Sequence, residues 1–202
     1  STIQIAIDAS YDQDTVLVYP GTYQENINYG GKEIIVTSTY LVANDSTLVY
    51  ETVIDGNENG SVAMFTNGES ENAVLQGFTL KSGNGNYADP DENGSFYTYG
   101  GGVYCQNTSP ILKDLIITEN QANQGGGIRI ATGASPIIDN CVISNNSSFI
   151  ISKARSKVSL IGGVKFNESS APEARILVSC LPFVGLTSKS VPLLTFPITI
   201  PL

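Results

Sequence analysis

The stretch GGGVYCQNTSPILKDLIITEN at Gly100–Asn120 is nearly rewritten as GGGIRIATGASPIIDNCVISNN at Gly125–Asn146, a repeat of about 25 residues. With the glycine triplets superposed, Val103 lies over Ile128 and Cys105 over Ile130. A one-residue adjustment at Ala134 then brings Ser109-Pro110 over Ser135-Pro136, Leu112 over Ile138, Leu115 over Cys141, Ile117 over Ile143 and Asn120 over Asn146. Apolar residues fall on apolar ones at strand period, and turn residues fall on turn residues. A unit this short cannot bury its apolar face alone, so it has to stack on its neighbours. Gly, Asn and Ser bound the short strands and no helical period separates them, which predicts an all-β solenoid.

Fainter copies lie upstream. AVLQGFTLKSG (Ala73–Gly83) places Leu75, Phe78 and Leu80 above Leu112, Leu115 and Ile117, and KEIIVTS (Lys32–Ser38) is expected to continue the Phe78 and Leu80 columns with Ile34 and Val36. About five rungs then fit between Val16 and Asn146, a column roughly 20–25 Å tall at the usual strand spacing of ~4.8 Å. Asn120 and Asn146 share one turn position in successive rungs, where Asn accepts left-handed backbone and its amide bonds to the copies above and below. Cys141 falls in an inward column and is expected to be core. The first rung needs a cover against edge pairing. TIQIAIDAS supplies one: Ile3, Ala6 and Ile7 share a helical face, and the chain then turns at Asp14 into a strand over Thr15–Tyr19 and out at Pro20-Gly21.

Several function classes are excluded by composition. The chain has no histidine, which removes Ser-His-Asp and Cys-His chemistry and imidazole-ligated metals. A net charge of −9 with only ten Lys and Arg argues against nucleic acid. Cys105, Cys141 and Cys180 form no CxxC pair, so neither a zinc knuckle nor a disulfide framework is indicated. No apolar run reaches the roughly 20 residues of a spanning helix, and the first residues do not read as a signal peptide.

The opening IQ..AID....DTVLVYPGTYQENI (Ile3–Ile27), followed by Gly- and Asn-bounded rungs, resembles the right-handed parallel β-helix proteins of the pectin-lyase-like superfamily. The GGGV and GGGI starts, each followed by ITEN or ISNN, are also similar to the repeats of polymorphic outer-membrane proteins, with Ile117 and Ile143 where those repeats carry Phe. The resemblance covers residues 1–150 and implies a right-handed single-stranded parallel β-helix with a short N-terminal capping helix. It does not select an activity, because this scaffold hosts lyases, hydrolases, esterases and adhesins.

By the same resemblance, lyase chemistry would use stacked Asp binding calcium with an Arg or Lys as base, which makes Asp114, Arg129 and Asp139 the catalytic candidates. Read from the repeat alone, Lys113 and Asp139 make a cross-rung ion pair, while Arg129 aligns with outward Tyr104. The largest departure from the repeat, an insertion over 84–99, includes Asp89, Asp91 and Asn93 in a D-x-D-x-N-G half-loop, open to reading as a calcium site or as a solvated acidic turn. Asp55–Gly60 carries the same half-pattern, where turn chemistry is expected. Tyr87, Phe96, Tyr97, Tyr99 and Tyr104 gather in or beside the insertion, either as a platform for sugar faces or as packing that fixes the loop. A second insertion over 39–52 alternates in polarity without evident chemistry, and Asn107-Thr-Ser109 is a glycosylation sequon in hosts that use it.

Beyond residue 150 no rung aligns and the charge balance turns basic, so 151–202 is expected to be a divergent segment: a cap, a partner-binding piece or a misjoined, frame-shifted end. The functional expectation is an exported, bacterial cell-surface or secreted scaffold for binding or adhesion to glycans, a monomer or part of a larger surface protein. The alternative is a calcium-assisted lyase or hydrolase acting on acidic polysaccharide, with a purely structural surface role third.

Overall fold

A computed structural model describes residues 2–88, 97–147 and three further strands, Ile151–Lys153, Ser159–Ile161 and Lys165–Asn167. The chain is mostly β and builds three parallel sheets. Sheet A takes Thr15–Val18, Ile35–Ser38, Val74–Gln76, Ile111–Lys113, Ile137–Asp139 and Ser159–Ile161. Sheet B takes Gly21–Gln24, Thr52–Asp55, Thr79–Lys81, Ile116–Thr118, Val142–Ser144 and Lys165–Asn167; sheet C takes Ile27–Asn28, Ala63–Phe65, Val103–Cys105, Ile128–Ile130 and Ile151–Lys153. The chain visits A, B and C in turn, and each strand pairs with its counterpart one circuit later. That cyclic order with stacked parallel strands fits a β-helix.

The register is the one the repeat implies. Val103 pairs with Ile128 and Cys105 with Ile130, Leu112 with Leu75 and Ile138, and Ile117 with Leu80 and Ile143. All of these side chains, with Phe78, Leu115 and Cys141, lie in one continuous core. The KEIIVTS strand is placed differently from expectation. Val36 pairs with Leu75, in sheet A, and the Leu80 column of sheet B is instead continued by Ile54. Alternation of apolar residues is the same on every face of a solenoid, so it identifies a strand without identifying its sheet.

Corners explain the non-glycine turn residues. Between sheets A and B the chain turns on one left-handed residue per rung, Gly77 (φ 78°), Asp114 (φ 50°) and Asn140 (φ 49°). Between B and C, Glu58, Ser82, Glu119 and Asn145 are left-handed, with Asn57 beside Glu58, and they stack so that Glu58 N–H donates to Ser82 O and Ser82 N–H to Glu119 O. The glycine triplets repeat because rungs touch there through backbone. A Cβ on Gly101 would stand 2.4 Å from Gly126 O, and one on Gly126 1.8 Å from Ser147 O, closer than real Cβ atoms come.

Helix α1 (Ile3–Ala9) closes the first rung, with Ile3 and Ile7 buried and Ala6 packed against the core. Both ends are held. The Glu25 carboxylate accepts from Ile3 and Gln4 N–H, each at 2.8 Å, and Lys32 Nζ donates to Asp8 O and Ser10 O at the other end. Gln4 adds a bond the sequence did not suggest: its amide accepts from Asn28 N–H at 2.8 Å and donates to Asn28 O at 3.1 Å. A side chain thus occupies the place of a neighbouring strand on the free edge of sheet C.

The first strand ends at Val18, one residue before the expected Tyr19. The 39–52 insertion, which the sequence showed only as alternating in polarity, forms two short helices, α2 (Tyr40–Ala43) and α3 (Leu48–Glu51). Thr79 Oγ1 donates to Val49 O and pins the second of them to sheet B. The 84–99 insertion opens with Asn86–Ala88 and closes with Tyr97–Tyr99, an antiparallel pair. Parallel pairing also runs past the boundary expected at residue 150: Ile151–Lys153, Ser159–Ile161 and Lys165–Asn167 add to sheets C, A and B in that order. Among the described residues no helix is long and apolar enough to cross a membrane.

Candidate functional site

The B-to-C corner carries a polar groove built on the asparagine ladder. Asn146 Oδ1 accepts from both the backbone and the side-chain amide of Asn120, each at 3.0 Å, and Asn146 Nδ2 donates to Ile117 O. Asn120 in turn accepts from Gly83 N–H and donates to Leu80 O. Both amides are buried and committed to neighbouring rungs, so the ladder is framework. Outside it lie exposed Gln121, Asn123, Asn145 and Ser147. Two adjoining clefts of about 360 and 370 Å³ run here, sharing Gln121 and Ser147. One also touches Glu58 and Glu119, the other Asn84, Thr98 and Asn123.

The antiparallel pair Asn86–Ala88 and Tyr97–Tyr99 makes one wall, through Thr98. Thr98 and Asn123 hold each other reciprocally: Asn123 Oδ1 accepts from Thr98 N–H at 2.9 Å and from Thr98 Oγ1 at 3.1 Å, and Asn123 N–H donates to Thr98 Oγ1 at 2.9 Å. Tyr97, beside Thr98, is 43% exposed, and Tyr87 on the facing strand is 73% exposed. Tyr99 is instead 5% exposed. The Arg129 guanidinium lies over its ring at 5.3 Å from the centroid, within cation–π range. Tyr104 pairs in register with Arg129 on the outer face of sheet C and donates to Gln106 Oε1 at 3.1 Å. Burial pulls the Arg129 guanidinium below its usual value and pushes the Tyr104 phenol up. Of the five aromatic candidates, Tyr87 and Tyr97 present exposed rings, Tyr99 and Tyr104 pack around Arg129, and Phe96 lies outside the described residues.

The three catalytic candidates do not converge. Lys113 Nζ meets Asp139 Oδ2 at 3.4 Å, the cross-rung pair expected from the repeat. Asp114 sits beside it at the A-to-B corner, accepting from Tyr40 Oη at 2.6 Å and from Asn140 Nδ2 at 2.5 Å. Arg129 is on sheet C, a different face. Asp55–Gly60 is an ordinary turn in which Asp55 accepts from Asn57 N–H at 2.9 Å and pairs with Lys81 at 3.4 Å. Asp89, Asp91 and Asn93, the calcium candidates, lie outside the described residues. Among the described residues no group of three or more acidic or Cys side chains could hold a metal.

Glu58, Glu119, Gln121, Asn123 and Asn145 were not singled out from sequence. The run TENQANQ at Thr118–Gln124 does advertise Gln121 and Asn123, as an excess of amides beyond the one asparagine a ladder consumes. Compared with models of known protein families, with curated proteins and with solved structures, the chain matches none.

Proposed function

We propose that the chain is a right-handed parallel β-helix of the pectin-lyase-like kind that works as an exported, cell-surface or secreted scaffold for binding glycan in the B-to-C groove. The observation that carries this reading is the groove's composition, exposed amides and hydroxyls along its lining, with the exposed Tyr87 cross-strand from groove-lining Thr98 and so on the same face of the strand pair. Such a surface suits a sugar, which offers C–H faces to the ring and hydroxyls to the amides. Glu58 and Glu119 favour a neutral saccharide, because a uronate brought there would meet like charge. The separation of Arg129 from Asp114 and Asp139 weighs against the lyase alternative.

Titration calorimetry of the full chain with calcium, then with neutral and acidic oligosaccharides, tests this reading. We expect saturable binding of a neutral oligosaccharide without turnover, weakened about tenfold or more by Tyr87→Ala. Appearance of unsaturated products, or an affinity indifferent to Tyr87, would overturn it.

A further inference from the structure

A second cleft, at the A-to-B corner, differs in chemistry from the groove. It measures about 210 Å³ and lies between α3 and the outer faces of two rungs, lined by Tyr40, Val49, Tyr50, Asp114, Ile116 and Val142, among others. Ile116 and Val142 are outward neighbours in sheet B, partly covered, and give the cleft an aliphatic wall. Tyr50 stands at its mouth with its side chain 69% exposed.

Asp114 supplies the charge. Its two hydrogen-bond donors, Tyr40 Oη and Asn140 Nδ2, are both neutral, and among the described residues no Lys or Arg lies within ion-pair distance of it. Lys113 next door is engaged with Asp139. The corner is therefore a partly buried carboxylate, oriented by two neutral donors and set against aromatic and aliphatic surface. Tyr40 senses the same field: burial raises its phenol first, and the hydrogen bond to Asp114 with the charges of Asp114 and Asp139 raises it further.

We propose that this cleft binds an organic ammonium ion with an apolar body, its charge set against Asp114 and the Tyr50 ring and its alkyl groups against Ile116 and Val142. Carboxylates and ring faces both attract cations, and an alkylammonium gives up less hydration than a metal ion on entering an apolar site. An anion would meet Asp114, while a neutral polyol would leave the charge unanswered. The site stands apart from the glycan groove and does not depend on that reading.

The test uses the full chain with tyrosine rings labelled for NMR, titrated with tetramethylammonium and n-butylammonium chlorides against sodium chloride at matched ionic strength, with methyl glucoside and sodium acetate as further probes. Saturable shifts at Tyr40 and Tyr50 are expected with the ammonium ions alone, weakened about tenfold or more in Asp114→Asn and in Tyr50→Ala. The Asn replacement suits the turn, because Asn140 occupies the equivalent corner one rung on and its amide oxygen can still accept from Tyr40. Shifts equal to those with sodium, unchanged affinity in Asp114→Asn, or equal binding of methyl glucoside would each overturn the proposal.

Discussion

Single residues here are constrained chiefly by what stands one rung away. Gly77 combines a left-handed φ of 78° with a Cβ direction that points into the Tyr40 ring, 2.2 Å from Cδ1. Gly77→Ala is therefore expected to destabilise through strain and overlap together, by roughly 2–4 kcal/mol in urea unfolding. In a Tyr40→Ala background the ring overlap is gone and only Ser38 Oγ, 2.7 Å from the added Cβ, remains, so we expect the same substitution to cost clearly less; equal costs would mean that the ring contributes nothing to the penalty. Asn146 faces another kind of constraint. Its Oδ1 serves two donors and its Nδ2 one acceptor, all buried. Asn146→Ala takes a partner from three groups of the preceding rung, Asn120 N–H, Asn120 Nδ2 and Ile117 O, and is expected to cost about 2–4 kcal/mol, whereas the exposed neighbour Asn145→Gly should be nearly neutral at its left-handed position. The asparagine ladder was legible from sequence because one residue type recurs at one offset. The left-handed positions were not: the ladder asparagines, expected to take that backbone, do not, and it falls instead on Glu119 and Asn145, one residue before each, and on Glu58 and Ser82 in the rungs above.

At the scale of elements, local pattern foretold what each segment is and distant contacts decided how it is fixed. Helix α1 was readable from Ile3, Ala6 and Ile7, yet its anchors, Glu25 and the Gln4 amide on Asn28, join residues 21 to 24 positions apart, a pairing that no local period encodes. The α2 and α3 segments escaped the sequence reading for a related reason. Both are one-turn helices whose stability comes from tertiary anchors such as Thr79 Oγ1 to Val49 O rather than from amphipathic length. The Gln4 clamp has a measurable consequence. Gln4→Ala keeps helix propensity but removes both bonds to Asn28, so hydrogen exchange at Asn28 is expected to accelerate about tenfold or more, against little change at Leu80 in the middle of sheet B. Losing the clamp also bares an edge to pairing with other chains, so light scattering should show more association than for the parent. Unchanged exchange at Asn28 would mean that α1 protects the edge by covering it, without its hydrogen bonds.

For the whole molecule, repetition made the architecture legible and left the surfaces largely unread. Inward columns recur at fixed offsets and reveal themselves in one sequence; grooves arise where unlike insertions meet the column, and nothing repeats there. Repetition also makes the core one continuous body, in which Cys105 and Cys141 are both fully buried. Burial pushes the Cys141 thiol up to about 12 and raises Cys105 as well, again through burial first. Tyr29, at the other end of the same core, moves in the same direction for the same leading reason. A folded-state pKa above the unfolded one favours the protonated fold, so this contribution is whole below the ordinary thiol value of 9.0 and is lost as pH rises towards about 12. The urea midpoint is therefore expected to hold between pH 7 and 8.5 and to fall steeply above pH 10, with Cys141 alone accounting for on the order of 3–4 kcal/mol by pH 12. Cys141→Ala should start lower, from its lost packing, and descend less steeply. In a Cys180→Ser background, thiol labelling at pH 8 should proceed only as fast as global unfolding, since neither remaining sulfur is reachable by opening a single loop. Labelling much faster than unfolding, or parallel pH slopes with and without Cys141, would mean that the rungs around these thiols open independently and that the column is less cooperative than its continuous core implies.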